Sequence, residues 1–403
     1  RLELMETLRE GDPGNADAWF ARALVAAGAD RHDDAADAAR RAAELRPSWN
    51  EPRIFLVRVL MDEGKQAEAR DALERFVAET PKDQGLRMLY AQMLVEEQEF
   101  SRARNVFEFM LQDTPKEPDV LFALGILSLQ LEDLDASREY FARLRDTGER
   151  RNDAVYYLGQ VEEIAENPGE AITLYERVEG EHALDAGVRV ARLRARAGDV
   201  DAARQRLQQL RDRWVDEAVL LYMVEAEVLS DLDRMREAMS VYDEAVERYG
   251  DNADLLYARA LHAARMGRID ILERDLRAIL AKEPMHADAL NALGYTLADQ
   301  TNRYDEALSY IERALKLKPK DPAVLDSMGW IQYRLGRLEE AATYLRQALA
   351  LLEDGEIAAH LGEVYWAMGK REEAWQVWEK ALALDPDHEY LLRVIGRHRY
   401  SRS

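Results

Sequence analysis

The chain has 403 residues, and 55 Lys and Arg stand against 78 Asp and Glu, a formal net charge of −23. Such a surface rules against a nucleic-acid binder, which needs a basic face to displace counterions from phosphates, and suits the attraction of basic proteins. The absence of Cys excludes disulfides, thiolate metal sites and a cysteine nucleophile, and 21 Gly with 11 Pro are few for a loop-rich fold. The longest apolar run, Val120 to Leu127, is far too short to span a bilayer.

Leu2, Met5 and Leu8 fall on one helical face, so the chain starts inside a helical pattern. Arg1 therefore reads as a processed or truncated end, with any targeting signal upstream. Further along, Pro13, Pro47, Pro81 and Pro115 recur every 34 residues, and Pro284, Pro319 and Pro386 continue the series with slips of one. Each Pro lacks an N–H and stops the helix before it. A small residue recurs in the same register, from Ala23 and Ala91 through Gly125, Gly159 and Gly294 to Gly329 and Gly362, with Val57 the exception. A second series opens the following helix, from Ala35 and Ala69 to Ala341 and Ala374, with Leu272 the exception. Small residues let two backbones approach while large ones fill the grooves between them. This spacing resembles the tetratricopeptide repeat, a pair of antiparallel helices, and predicts an all-α, right-handed superhelical solenoid of such hairpins.

Eleven full repeats begin near Ala16, Asn50, Gln84, Pro118, Asn152, Leu184, Val219, Ala253, Ala287, Pro322 and Gly355. The expected organisation is a partial repeat over 1–15, five repeats over 16–183, an irregular repeat over 184–218, five more over 219–388, and a capping helix with tail over 389–403. In the cap, Leu391, Leu392 and Ile395 are expected to face inward and Arg393, Arg397 and Arg399 outward. The turn at Asp299 to Arg303 is one residue longer than its equivalents. Asn167-Pro168-Gly169 is a strong turn signal in a shortened repeat. A joint is conceivable around 180–217, with drift inside a continuous spiral as the plainer reading.

No pattern for catalysis emerges. His388-Glu389 begins a zinc-protease HExxH, but Leu392 holds the second His position. No P-loop, GxSxG or EF-hand spacing occurs, and an enzyme, a metal site and a cofactor are not expected. Function in such a scaffold falls on side chains of the first helix of each pair, helix A, that packing does not use. In the last three repeats these are Asn291 and Tyr295, then Asp326, Ser327, Trp330, Tyr333 and Arg334, then His360, Glu363 and Trp366. Their Tyr and Trp supply broad contact area with a polar tip, which points to a protein-binding groove. The alternative is that Trp330 and Trp366 pack between repeats. If they form a groove, replacing both by Ala weakens partner capture and leaves the thermal midpoint almost unchanged. The Lys and Asn clamp with which chaperone-binding repeats grip a C-terminal carboxylate is absent from Asn291/Tyr295, Asp326/Trp330 and Ala359/Glu363. Arg189, Arg192 and Arg196, with Arg194 adjacent, form a basic stripe suited either to an acidic peptide or to acidic neighbours within the fold. Phe100, Phe107 and Phe109 read as repeat core.

The segment LNALGYTLADQTNRYDEALSYIERALKLKPKDPAVLDSMGW, from Leu290 to Trp330, is more particular than a generic repeat. With WIQYRLGRLEEA after it and IAAHLGEVYW from Ile357 to Trp366, it resembles a family of Gram-negative outer-membrane lipoproteins that partner a periplasmic carboxy-terminal processing protease. The resemblance implies a noncatalytic adaptor in the periplasm, held to the outer membrane by an N-terminal lipid that this chain does not include. It further implies binding and activation of the protease and delivery of peptidoglycan cross-link hydrolases as its substrates. Rival readings are an assembly scaffold for an envelope or secretion complex, and the substrate-binding arm of an enzyme whose catalytic domain is not in the chain.

Overall fold

The computed structural model describes residues 14–250 and 252–399. The expectations placed on residues 1–13, the helical start and most of the partial repeat over 1–15, lie outside the described residues. Among those described, 23 α-helices and two single 3-10 turns account for the regular structure, and there is no strand. The chain divides into two units, residues 1–206 and 207–403, and the division falls inside one helix, Val200–Arg213.

The first unit holds α1 (Ala16–Ala27), α2 (His32–Leu45), α3 (Glu51–Asp62), α4 (Gln66–Glu79), α5 (Gln84–Glu96), α6 (Phe100–Asp113), α7 (Pro118–Gln130), α8 (Leu134–Thr147), α9 (Arg151–Ile164), α10 (Pro168–Tyr175), α11 (Ala183–Arg196) and the first half of α12 (Val200–Arg213). Asn15 and Asp83 cap their helices by accepting N–H bonds of the first turn, which carbonyls cannot satisfy there. The short α10 begins at Pro168, as the turn signal requires.

The second unit continues with α13 (Ala218–Asp231), α14 (Met235–Tyr249), α15 (Ala253–Arg265), α16 (Ile269–Lys282), α17 (Ala287–Gln300), α18 (Tyr304–Leu317), α19 (Pro322–Arg334), α20 (Leu338–Leu351), α21 (Gly355–Ala367), α22 (Arg371–Leu384) and the final α23 (Glu389–Arg399). The first helix of every pair starts within one residue of a repeat start read from the sequence.

Close approach within each hairpin explains the small-residue register. A Cβ on Gly125 would stand 2.6 Å from the ring of Phe141, which is fully buried in α8. On Gly362 it would collide with the indole of the fully buried Trp378. The long turn at Asp299–Arg303 closes through Thr301, whose hydroxyl donates to the Leu297 carbonyl at 2.5 Å and accepts from the N–H of Arg303 at 3.1 Å. No helix described is long and apolar enough to cross a membrane.

The cap departs from expectation in one register. Leu391 and Val394 are fully buried and Ile395 nearly so, while Leu392 is exposed. The turn of α23 that meets α21 presents residues three and four apart, so Val394 takes the inward place given to Leu392. Arg393 and Arg397 point outward as expected, and the side chain of Arg399 lies outside the described residues.

Candidate functional site

In the second unit, the aromatic residues of the helix A face turn on one another. The imidazole of His360 is fully buried and stacks on Trp330, with centroids 4.2 Å apart. Its Nδ1 lies 2.9 and 3.1 Å from the two carboxylate oxygens of Asp326, and its Nε2 lies 3.2 Å from the Tyr390 hydroxyl of α23. Burial alone would lower the His360 pKa; Asp326 foremost, then Glu356 and Glu363, reverse this and hold it above its ordinary value. The Trp330 indole donates to Asp299 Oδ1 at 3.1 Å, and Arg334 bonds the Asp299 carbonyl and the Tyr304 hydroxyl at 2.9 Å each. The lengthened turn thus provides acceptors for the next repeat.

The remaining residues border this network. Tyr295 is half-buried and donates to Glu356 at 3.1 Å; burial first, then Glu356 and Asp299, push its phenol far above the usual range. Tyr333 packs against Trp330 at 5.0 Å and its phenol is raised by burial. Glu363, nearly buried, faces Arg397 at 3.3 Å and His398 at 3.7 Å, both from α23. Trp366 is half-buried beside Trp378 and His398, with the Arg371 guanidinium 5.0 Å over its ring. Asn291 is half-buried, and its side-chain oxygen has no hydrogen-bond partner among the described residues.

These positions correct the groove expected at the C-terminal repeats. Asp326, Ser327, Trp330, His360 and Glu363 are buried, with Trp330 only 6% exposed, so a partner cannot grasp them without displacing the chain's own packing. For His360 and Glu363 the cause is α23, which packs mainly on α21 and brings Tyr390, Arg397 and His398 onto the face that the sequence leaves open; His360 in turn meets Asp326 and Trp330, and Asp299 bonds the Trp330 indole. Tyr295, Tyr333, Arg334, Trp366 and Asn291 form a half-buried border.

The basic stripe is stitched into the fold of the first unit. Arg189 donates to Asp185 at 2.8 Å and to Glu163 at 3.0 Å, and these carboxylates raise its pKa against the effect of burial. Arg194 pairs with Glu176 at 2.5 Å, Arg192 also has partners, and Arg196 is exposed at the helix end.

An open apolar groove lies instead in the first unit, between α5 and α7. It measures about 580 Å³ and is lined by Met88, Val95, Phe122 and Ile126, with Gln92, Glu96 and Asp119 at its polar border. Val95 is 37% exposed and the other three are half-buried. Phe122 is fixed by edge contacts with Phe141 and Tyr157 at 6.1 and 5.4 Å. The Arg150 guanidinium sits 3.7 Å over its ring and pairs with Asp119 at 3.0 Å. Phe107 is buried at the floor, as expected, and Phe100 packs against the core. Phe109, read as core, is exposed under the guanidinium of Arg87 at 3.6 Å.

The sequence carried a signal for this groove in the apolar run Val120 to Leu127. A hairpin helix needs one apolar stripe for its core, supplied here by Val120, Leu121, Leu124 and Leu127. Phe122, Ala123 and Ile126 are surplus to it and form a second apolar face.

Comparison with known proteins agrees with the hairpin pattern. Tetratricopeptide repeat family models match residues 3–125, 122–186, 190–253, 257–322, 324–359 and 356–388. A tetratricopeptide repeat-containing protein of Pseudomonas aeruginosa, PA4667, is 46% identical over 213 residues, covering 52% of this chain and 36% of that protein. The human protein O-mannosyl-transferase TMTC1 is 33% identical over 110 residues, covering 26% of this chain and 12% of that protein. The matches thus span little more than a third of the first relative's length and an eighth of the second's. Among solved structures, yeast Tom70 is similar with a TM-score of 0.48 and 15% identity, covering 96% of this chain and 95% of that chain.

Proposed function

We propose, from the premise that this chain belongs to the tetratricopeptide repeat family, that it is a noncatalytic adaptor for a periplasmic carboxy-terminal processing protease. In this reading it binds and activates the protease and presents peptidoglycan cross-link hydrolases for cleavage. It acts at the outer membrane, tethered by a lipid outside this chain. As a member of a family of protein-interaction scaffolds it offers surface rather than reactive groups. The observation that carries the reading is the groove between α5 and α7, where Met88, Val95, Phe122 and Ile126 present apolar side chains to solvent with acidic groups around them. Apolar anchors inside a polar border are the anatomy of a protein-binding hot spot. The resemblance of Leu290 to Trp330 to protease-partner lipoproteins supplies the identity of the partner. Holding enzyme and substrate on one chain raises their effective concentration without new contacts. Activation further requires that the adaptor favour one state of the protease.

The test is cleavage of a purified peptidoglycan cross-link hydrolase by a carboxy-terminal processing protease, with and without this chain. Acceleration by the wild type and its loss in Val95→Arg/Ile126→Arg, with helicity unchanged, are expected. No acceleration by the wild type overturns the protease reading, and full acceleration by the double variant overturns the groove.

A further inference from the structure

The repeat register reveals a missing side chain in the last hairpin. The fourth position of helix A varies in the first unit, where Trp19, Arg53, Arg87, Leu121, Val155 and Gly187 occupy it, but in the second unit it holds the buried Tyr222, Leu256, Leu290 and Leu325. Its equivalent in α21 is Ala358. Around Ala358 lies an apolar pocket of about 80 Å³, lined also by Leu349 of α20, Gly355 of α21, and Val377, Ala381 and Leu384 of α22. Truncating a core leucine to alanine leaves a void where the surroundings do not collapse, and the lining loses its packing partners. This void opens outward. Leu384 lines it while 61% exposed, and Leu351 and Leu352, just before the lining Glu353, are about half exposed.

The charge around the pocket has one sign to spare. Glu353 is neutralised by Lys380 at 2.5 Å. Asp354 spends its carboxylate on the N–H groups of Glu356 and Ile357 at the start of α21. Asp385, exposed in the lining, has no ion-pair partner among the described residues. The one cation of the lining, Lys380, is therefore committed, while the charge of Asp385 remains and that of Asp354 is met by backbone N–H groups. A second copy of a chain of net charge −23 would bring more of the same sign.

We propose that this pocket is a docking site for one aliphatic side chain, of the leucine or methionine type, carried on a basic segment of a partner protein. It uses α20, α21, α22 and the connections between them, and shares no residue with the groove between α5 and α7. The anchor fills the place that leucine fills in four other repeats, and the flanking cations meet Asp385 and Asp354.

The experiment titrates methyl-labelled full chain with a synthetic peptide bearing one leucine between lysines. Control peptides carry serine for the leucine or glutamate for the lysines. Saturable shifts are expected at the methyls of Ala358, Leu349, Val377 and Leu384. The serine peptide should bind about tenfold more weakly or worse, since burial of one leucine is worth that much, and the glutamate peptide should bind more weakly because its carboxylates face Asp385 and Asp354. Ala358→Leu should abolish the shifts and raise the thermal midpoint, because it restores the side chain the neighbours accommodate elsewhere. Leu384→Ser should weaken binding with the midpoint unchanged. Absence of saturable shifts, binding undiminished in Ala358→Leu, a lowered midpoint for that variant, or equal binding of the glutamate peptide would each overturn the proposal. So would concentration-dependent dimerisation lost in Ala358→Leu, which would make the occupant a second copy. These readouts are direct and do not depend on the protease assay.

Discussion

His360 and Asp326, 34 residues apart and so one repeat apart, meet as a buried pair at the end of the second unit, with Nδ1 2.9 Å from the carboxylate. Trp330 covers one face of the imidazole and Tyr390 closes its far nitrogen. The pair thus links α19, α21 and α23, and its charge state bears on the docking of the final helix.

That charge state predicts a pH dependence. The folded His360 pKa is raised above its ordinary 6.5, so protonation favours the folded state. Its stabilisation is fully present below pH 6.5 and is lost as pH rises through the folded value. Thermal midpoints measured upward from pH 6.5 should therefore fall for the wild type, and this component of the fall should vanish in Asp326→Asn. A wild-type midpoint that rises across that window would contradict the assignment.

Trp330→Ala should unfold rather than merely disarm. The indole is buried, stacked on His360 and bonded to Asp299, so truncation should cost about 3–5 kcal/mol. Trp366, half-buried at the border, should cost clearly less. Urea unfolding of the two single variants separates them, and equal small losses would restore the open-groove reading of this face.

Arg259 of α15 grips Asp275 of α16 with two bonds of 2.7 and 2.8 Å, and both residues are buried. Removing Asp275 leaves the buried Arg259 with Asp243 alone, at 2.9 Å, so Asp275→Ala should lose about 1.5–3 kcal/mol, the worth of a charged hydrogen bond, rather than the larger cost of a fully stranded charge. Replacing both by apolar residues of similar volume should recover most of that loss. Chemical denaturation of the single and double variants checks the ordering.

Gly125→Ala pits two effects against each other. Alanine favours helix by about 1 kcal/mol, while overpacking a filled core costs about 1–3 kcal/mol. Phe141 is fully buried and has nowhere to retreat, so overpacking should win. A higher midpoint for Gly125→Ala would show that the hairpin is looser than the 2.6 Å approach implies.

Capture of a basic partner should weaken with salt, on the order of tenfold between low and high ionic strength, because screening shortens the reach of a −23 surface. Binding constants measured across a salt series decide this; a flat series would leave apolar contact as the whole driving force.

The hairpin register was legible without a structure because it is a local steric demand. Wherever two helices of one repeat cross closely, as at Gly125 and Gly362, a Cβ does not fit, and that requirement recurs at a fixed spacing. The same arithmetic located the long turn after Asp299 and the turn at Asn167. Burial of an individual aromatic is a different kind of fact. Trp330 and Trp366 stand at the ninth and twelfth positions of their repeats, both on the helix A face that the sequence leaves open, yet one is buried and the other half-exposed, because Asp299 and His360 close over Trp330. Likewise Phe122 and Ile126 stay open because none of the described residues covers α7 on that side. Periodicity determined where helices begin and which residues touch within a hairpin; the arrival of residues from distant positions, such as Tyr390 on His360, decided which faces remained for a partner.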